Sequence, residues 1–299
     1  MKNSRINPFA AVAILALGVA LGGQHARAAD YAGYIAGTSP VGWWGMNETG
    51  VTATTADLSG AYGAANNQAG ANINLTYQGA GVNTVADQAG YVTGAGNRAA
   101  YFDGTTDSGL YGHGAVPYDT NVAGAIYRYP SGFSGEFWIQ PQLIGGGLDA
   151  QRVIATREFG FGFEDTSTAH RLQFTTFGKQ DYFSSATVNL FDGGWHQIGF
   201  SFDGNMTTNF FVDGVAVGSQ VGTSAGIRTA ADPGANTINL GHRNTNLQHY
   251  KGGLDEAVLW DTTRSESDFA ASFAAATVPE SSTLAMLGLG MLCCARRKR

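Results

Sequence analysis

The segment Phe210-Phe211-Val212-Asp213-Gly214-Val215-Ala216-Val217 sets an Asp-Gly pair between two short apolar runs. That is the strongest short-range signal for a β-hairpin, because both turn residues tolerate the backbone angles that a tight two-residue reversal demands. Two further stretches alternate with a period of two. Phe133, Gly135, Phe137 and Ile139 alternate with Ser134, Glu136, Trp138 and Gln140, and His196, Ile198, Phe200 and Phe202 follow Trp195 to end at Asp203-Gly204. Such alternation predicts strands with one buried face. More strands are expected at 171–177, 237–240 and 254–260. Glycine supplies 43 of 299 residues and charged residues only 13%, which disfavours a helical bundle, since each helix-interior Gly costs about 1 kcal/mol relative to Ala.

One stretch after residue 28 reads as helix, from about Ser265 to Ala275. Thr263 and Glu266 have capping-box spacing there, and Phe269 and Phe273 fall four apart on one face. Many short strands, frequent Gly turns and a single late helix predict an all-β, antiparallel two-sheet sandwich. No composition break divides residues 29–277, which read as one domain. Within it, residues 60–98 are rich in Gly, Ala and Asn without a fixed period and are expected to form loops and short edge strands.

The formal charge of −6 is unevenly distributed. Seven of the 17 Lys and Arg residues lie in residues 1–28 and 281–299, which hold no acid; the remaining ten stand against all 23 acids, a net charge of about −13 for the middle of the chain. A general nucleic-acid or anionic-membrane binder needs a cationic face, so both classes are excluded.

The two ends read as addresses. Lys2 and Arg5, an apolar stretch from Phe9 to Leu21, and the small-x-small site Ala26-Arg27-Ala28 make the three-part layout of a secretory signal peptide spanning residues 1–28, with cleavage after Ala28. Residues 278–299 run Val278-Pro279-Glu280, then an apolar stretch from Leu284 to Ala295, then Arg296-Arg297-Lys298-Arg299, the order of a short transmembrane stop-transfer tail held by positive charge. This tail resembles the PEP-CTERM sorting signal of Gram-negative bacteria, with Ser281 in place of the usual second Pro. The resemblance implies an exosortase-type partner, transient anchoring in the inner membrane, and release or display outside the cell. Both cysteines, Cys293 and Cys294, lie in this tail. Once it is removed, the exported domain has neither a disulfide nor a thiolate metal site.

Seven pieces in chain order resemble the concanavalin A-like, laminin G-like jelly-roll family. They are Pro40-Val41-Gly42-Trp43-Trp44-Gly45-Met46-Asn47-Glu48, Asp57-Leu58-Ser59-Gly60, Ala99-Ala100-Tyr101-Phe102-Asp103-Gly104, Phe133 to Ile139, Gly194-Trp195-His196-Gln197-Ile198, Phe211-Val212-Asp213-Gly214, and Gly253-Leu254-Asp255-Glu256-Ala257-Val258-Leu259-Trp260. The resemblance implies two curved antiparallel sheets, often a calcium ion, and ligand binding on the concave face or rim. Asp57 and Asp255, supported by Asn47 or Glu48, are the positions it assigns to calcium. Trp43, Trp138 and Trp195 sit beside alternating apolar residues and read first as core, with stacking on sugar rings as the other use.

Glucanases share this fold, and they bring two carboxylates together across a glycosidic bond. Asp255 and Glu256 are adjacent on an expected strand, so their side chains should point to opposite faces, and Leu259 stands where a further carboxylate would help. Gly222-Thr223-Ser224-Ala225-Gly226 matches a nucleophile elbow only by letter, since it follows a hairpin in an all-β chain. His113, His170, His196, His242 and His249 show no zinc spacing. The sequence therefore predicts an exported, non-catalytic module for extracellular polysaccharide or a surface or matrix protein, with a hydrolase or lyase of the same fold, or a structural matrix protein, as alternatives.

Overall fold

A computed structural model describes residues 31–47, 54–55, 75–78, 98–104, 109–113, 132–144, 150–156, 159–164, 170–223, 237–243 and 248–277. They form an antiparallel two-sheet sandwich, the all-β architecture expected for a jelly roll. The seven-stranded sheet runs β1 (Gly42–Trp44), β15 (Lys251–Trp260), β6 (Phe133–Pro141), β11 (His196–Phe202), β12 (Thr207–Val212) and β13 (Val215–Val221), with β4 (Ala100–Asp103) also paired to β15. The eight-stranded sheet runs β10 (Gln180–Phe183), β9 (Leu172–Thr176), β8 (Phe159–Phe163), β7 (Gln151–Ala155), β14 (Thr237–Leu240), β5 (Gly109–His113), β3 (Leu75–Gln78) and β2 (Thr54–Thr55). The expected hairpin joins β12 to β13, and Asp213 and Gly214 both have positive φ, 50° and 78°.

Between the sheets lies one apolar layer. Phe133, Phe137, Ile139, Ile198, Phe200 and Phe202 from the seven-stranded sheet meet Phe159, Phe161, Phe163, Leu172, Phe174, Ile238 and Leu240 from the other. Its centre is a group of aromatic rings in which Phe174 stacks on Phe200 at 4.7 Å and Phe133 meets Phe159 at 4.8 Å. Offset and edge-on ring pairs of this kind each contribute roughly 0.5–1.5 kcal/mol beyond the area they bury.

The outer face of the seven-stranded sheet is covered as well. Two helices lie on it, α1 (Tyr31–Gly37) and α2 (Glu266–Thr277). Residues expected to be the solvent side of β6 are therefore buried: Ser134, Glu136 and Trp138 are each less than 2% exposed. Trp138 stacks on Phe273 of α2 at 5.6 Å, and Phe211 stacks on Phe269 at 4.2 Å. The approach is close because β11 presents Gly199 beneath Phe269, where a Cβ would come within 2.3 Å of the ring.

α2 begins as expected, but with a different cap. Ser265 accepts from the Asp268 backbone N–H at 3.3 Å while Asp268 Oδ2 accepts from the Ser265 N–H at 2.8 Å, the reciprocal capping box. Glu266, expected to cap Thr263, instead accepts from the Ala216 N–H at 3.0 Å and ties the helix to β13. Several elements went unpredicted, among them β1, β4, β5 and β10 as well as α1, β7 and β8. α1 has Tyr31 and Ile35 buried one turn apart, and β7 and β8 form a hairpin of the eight-stranded sheet. The Gly222–Gly226 motif starts just after β13 and leaves the described residues at 224, and His113 ends β5.

Candidate functional site

Among the described residues, two gatherings of chemistry-bearing side chains concern the site, one beneath the helices and one on the outer face of the eight-stranded sheet. Under the helices, three acids converge. The pairing of β15 with β6 shifts register between Asp255 and Val258, and Glu256 takes a positive φ of 48°, sparsely allowed for a residue with a Cβ. The bulge corrects the expectation that Asp255 and Glu256 face opposite ways. Asp255 sits opposite Trp138 in the ladder, Glu256 Oε2 accepts from Trp43 Nε1 at 2.5 Å, and the fields of Glu136, Glu256 and Asp255 all reach the Tyr31 hydroxyl on α1. The extra residue in the strand turns both acids toward the helices.

Glu136 Oε1 accepts from Tyr31 Oη at 2.8 Å and Ser272 Oγ at 2.6 Å, so it joins β6 to both helices. Burial raises its pKa, against the pull of hydrogen bonds from Ser272, Gln197 and Tyr31. Burial pushes Glu256 up to about 7, the Trp43 hydrogen bond opposes this, and neighbouring Glu136 adds to the rise. Asp255 is fully buried and Glu256 is 4% exposed. Burial of this kind disfavours the charged form of a carboxyl, which is why Glu136 and Glu256 shift upward. The arrangement holds two helices on the sheet, with Glu136 and Glu256 engaged by Tyr31, Ser272 and Trp43 across that contact.

Asn47 lies elsewhere in character. It is exposed, and its Oδ1 accepts from the Arg98 backbone N–H at 2.7 Å. Asp57 and Glu48 lie outside the described residues. One exposed amide and one buried carboxylate do not by themselves make a shell for calcium, which takes six to eight oxygens. Among the described residues no group of three or more His, Cys, Asp or Glu is placed to hold a metal ion. The sorting-motif positions Val278, Pro279 and Glu280 and the signal positions Ala26 and Ala28 also lie outside the described residues. Within those residues no helix is long and apolar enough to cross a membrane.

The second gathering is on the outer face of the eight-stranded sheet, which neither helix covers. One rung crosses all eight strands: Asp181 pairs with Thr175, Thr175 with Gly160, Gly160 with Ala155, Ala155 with Asn239, Asn239 with Tyr111, Tyr111 with Thr76 and Thr76 with Thr54. Arg152 lies across the middle of this face, its stem and the Phe177 ring filling the space above Gly160. It donates to Thr175 Oγ1 at 2.9 Å, Gln248 Oε1 at 3.1 Å and the Gln173 carbonyl at 3.4 Å. Burial draws its guanidinium down to about 10, with Asp181 opposing and Arg243 reinforcing the shift. His242 and His249 stack nearby at 6.1 Å, and burial lowers the pKa of His242.

These positions were not singled out from sequence, apart from the two histidines. A usable signal was present for one: Arg152 directly precedes the apolar run Val153-Ile154-Ala155, where a charge is out of place. Of the three tryptophans discussed above, Trp43 and Trp138 are core, and Trp195 is half-buried against Gly253.

Residues 118–270, half of the chain, match the family model described as the concanavalin A-like lectin/glucanases superfamily. The chain belongs to that superfamily. Two solved structures, both toxin binding domains, agree on the fold. The binding domain of Paraclostridial mosquitocidal protein 1 is 16% identical, with a TM-score of 0.51 over 79% of this chain and 52% of its own. The botulinum neurotoxin DC binding domain, solved with rat synaptotagmin II, is 11% identical, with a TM-score of 0.52 over 81% of this chain and 52% of its own. Domain 4 of the arabinanase AbnA from Geobacillus stearothermophilus, solved with arabinotriose, is 16% identical, with a TM-score of 0.46 over 80% of this chain and 98% of its own. This superfamily member thus spans about half the length of the toxin binding domains it matches. No curated protein matches its sequence.

Proposed function

We propose that this superfamily member is an exported, non-catalytic binding module for extracellular polysaccharide or matrix components. One observation carries the reading: on the outer face of the eight-stranded sheet, which no helix among the described residues covers, Arg152, Gln173, Thr175 and Asn239 stand side by side, polar and almost fully buried. Polar groups inside a fold are expensive, and a sheet that needed only solubility would place exposed charges there instead. A face of guanidinium, amide and hydroxyl groups matches a polyhydroxylated ligand.

The acids support the non-catalytic side of the reading. Glycoside hydrolysis needs one carboxyl to reach the leaving oxygen and another to reach the anomeric carbon or its attacking water. Glu136, Asp255 and Glu256 instead lie beneath α1 and α2, with Glu136 bonded to both helices or their flanks through Tyr31 and Ser272. Export and C-terminal processing follow from the signal-like residues 1–28 and the sorting-like residues 278–299.

The test is retention of the purified chain on immobilised glycans and on native exopolysaccharide, run with calcium and with a chelator. Retention on at least one glycan is expected, and loss on chelation would add calcium and call for Asp57 and Asp255 variants. Failure on every glycan and on surface proteins would sink the binding reading. Reducing-sugar release that disappears in Glu256→Gln would overturn the non-catalytic one. Intact-mass measurement on the exported protein separately checks processing, because a retained Arg299 contradicts it.

A further inference from the structure

Among the described residues, Arg152 and Arg243 stand on the outer face of the eight-stranded sheet with no carboxylate in ion-pair contact. Elsewhere the pattern is ordinary: Arg171 pairs with Glu164 at 2.7 Å and Arg264 with Asp268 at 3.6 Å. Arg152, 2% exposed, spends its hydrogen bonds on neutral acceptors, the Thr175 hydroxyl, the Gln248 amide oxygen and the Gln173 carbonyl. The carboxylate whose field reaches it is Asp181, but Thr175 stands between them, accepting from Arg152 and donating to Asp181 Oδ1 at 2.7 Å. Arg243 lies 4.4 Å over the Phe177 ring, and its buried Nε–H has no acceptor.

The surrounding polar groups are also unmatched. Asn239 is 1% exposed, and neither the nitrogen nor the oxygen of its side-chain amide has a hydrogen-bond partner. Gln173 Oε1 is likewise without a donor. The great majority of buried polar side-chain atoms in folded proteins are satisfied, so three such residues on one face point to a ligand. They are contiguous. Arg152 bonds to β9 at Gln173 and Thr175, Arg243 reaches Arg152 through its charge, and Asn239 pairs with Ala155, next in the rung to Gly160 beneath Phe177. Gln248, which occupies the Arg152 Nε–H, holds a positive φ of 56° and is half-buried, as is Arg243, so these two form the solvent side of the cluster.

We propose that Arg152, Arg243, Asn239 and Gln173 form a site for the carboxylate of a uronic acid unit carried on a mostly neutral polysaccharide. The inference rests on the binding-module reading above and names its ligand class. A carboxylate accepts paired N–H bonds from guanidinium in the geometry Arg is shaped for. It would replace Gln248 Oε1 on Arg152 and give Arg243 Nε–H its missing acceptor. The Asn239 amide, with two donors and an acceptor, and Gln173 Oε1 suit the flanking hydroxyls. The net charge of about −13 outside the two ends repels a densely charged polyanion, which selects a sparse uronate over a polyuronate or a nucleic acid.

The test is affinity electrophoresis of the full chain in detergent through gels containing glucuronoxylan, a neutral xylan with scattered glucuronate side groups, or the same polymer after carboxyl reduction. Retardation by the acidic polymer is expected, at least tenfold weaker on the reduced one and at least tenfold weaker for Arg243→Gln, a half-buried position chosen because Arg152→Gln can fail to fold. Lys251→Gln, which removes one positive charge from the other sheet, should bind like wild type. Equal retardation by both polymers, or an unaffected Arg243→Gln, overturns the uronate site and leaves the binding module standing. No retardation by acidic or neutral glycans overturns both.

Discussion

Trp43 Nε1 donates to Glu256 Oε2 at 2.5 Å, joining strand β1 to the bulge of β15 across 213 residues of chain. The bond holds a carboxyl whose neighbours leave it close to half-protonated at neutral pH. Its pKa is raised to about 7 against an ordinary 4.5, first by burial.

The sign of the resulting pH dependence follows from proton counting. A carboxyl with a raised folded pKa binds more protons folded than unfolded, so its contribution is most favourable below about pH 4.5 and is lost as pH rises to about 7. Glu256→Gln keeps an acceptor for Trp43 and removes the titration. Relative to wild type, the variant should gain stability between pH 5 and pH 8, by at most about 3 kcal/mol at 1.36 kcal/mol per pKa unit. Urea unfolding of both proteins at the two pH values measures this; an unchanging difference would mean that Glu256 does not titrate in that window.

His196 makes a second pH-dependent contact, set at the sheet surface. Its Nδ1 meets Asp213 Oδ2 at 2.9 Å and its Nε2 meets Asp192 Oδ1 at 3.1 Å, and the Asp213 hydrogen bond is the main reason its pKa is raised. A histidine with a raised folded pKa contributes fully below about pH 6.5 and loses that contribution as pH climbs through the higher folded value. His196→Gln should therefore lower the urea midpoint at pH 5.5 and cost much less at pH 9. An equal cost at both would assign the effect to packing beside Trp195.

Gly199 is required by the contact above it. A Cβ there would lie 2.3 Å from Phe269, a ring already stacked on Phe211. Gly199→Ala should destabilise the protein by roughly 1–3 kcal/mol through overpacking. The double variant Gly199→Ala with Phe269→Ala should lose less than the sum of the single losses, as for residues in contact. Strict additivity in denaturant unfolding would show that α2 accommodates the methyl group by another route.

Strand positions were legible because alternation and turn chemistry act between near neighbours. Phe133 to Ile139, His196 to Phe202 and the Asp213-Gly214 hairpin all form where their residues say they should. α2 was legible for the same reason, although its cap moved from Thr263 and Glu266 to Ser265 and Asp268. The hairpin of β7 and β8 was missed despite a usable cue, since Phe159-Gly160-Phe161-Gly162-Phe163 alternates strictly. α1 was missed because a run of only seven residues, two of them Gly, carries little helical signal.

The candidate sites were not legible, for two reasons. A one-residue bulge reverses which side chain faces which way, so the placement of Asp255 and Glu256 on one face depended on how β15 pairs with β6. Arg152, Gln173, Asn239 and Arg243 are scattered over more than 90 positions of sequence and become neighbours only through strand order, which sets β14 beside β7.

Sequence by itself determined the alternating strands, the hairpin, the late helix, the acidic middle and the basic ends, because propensity, periodicity and charge are properties of residues and their near neighbours. Tertiary structure decided that both faces of β6 are buried, that three acids meet under two helices, and that two arginines share a face with no carboxylate in direct contact with either. Those outcomes depend on which strands pair and in what register, and pairing between distant segments is settled by the burial of the whole sandwich.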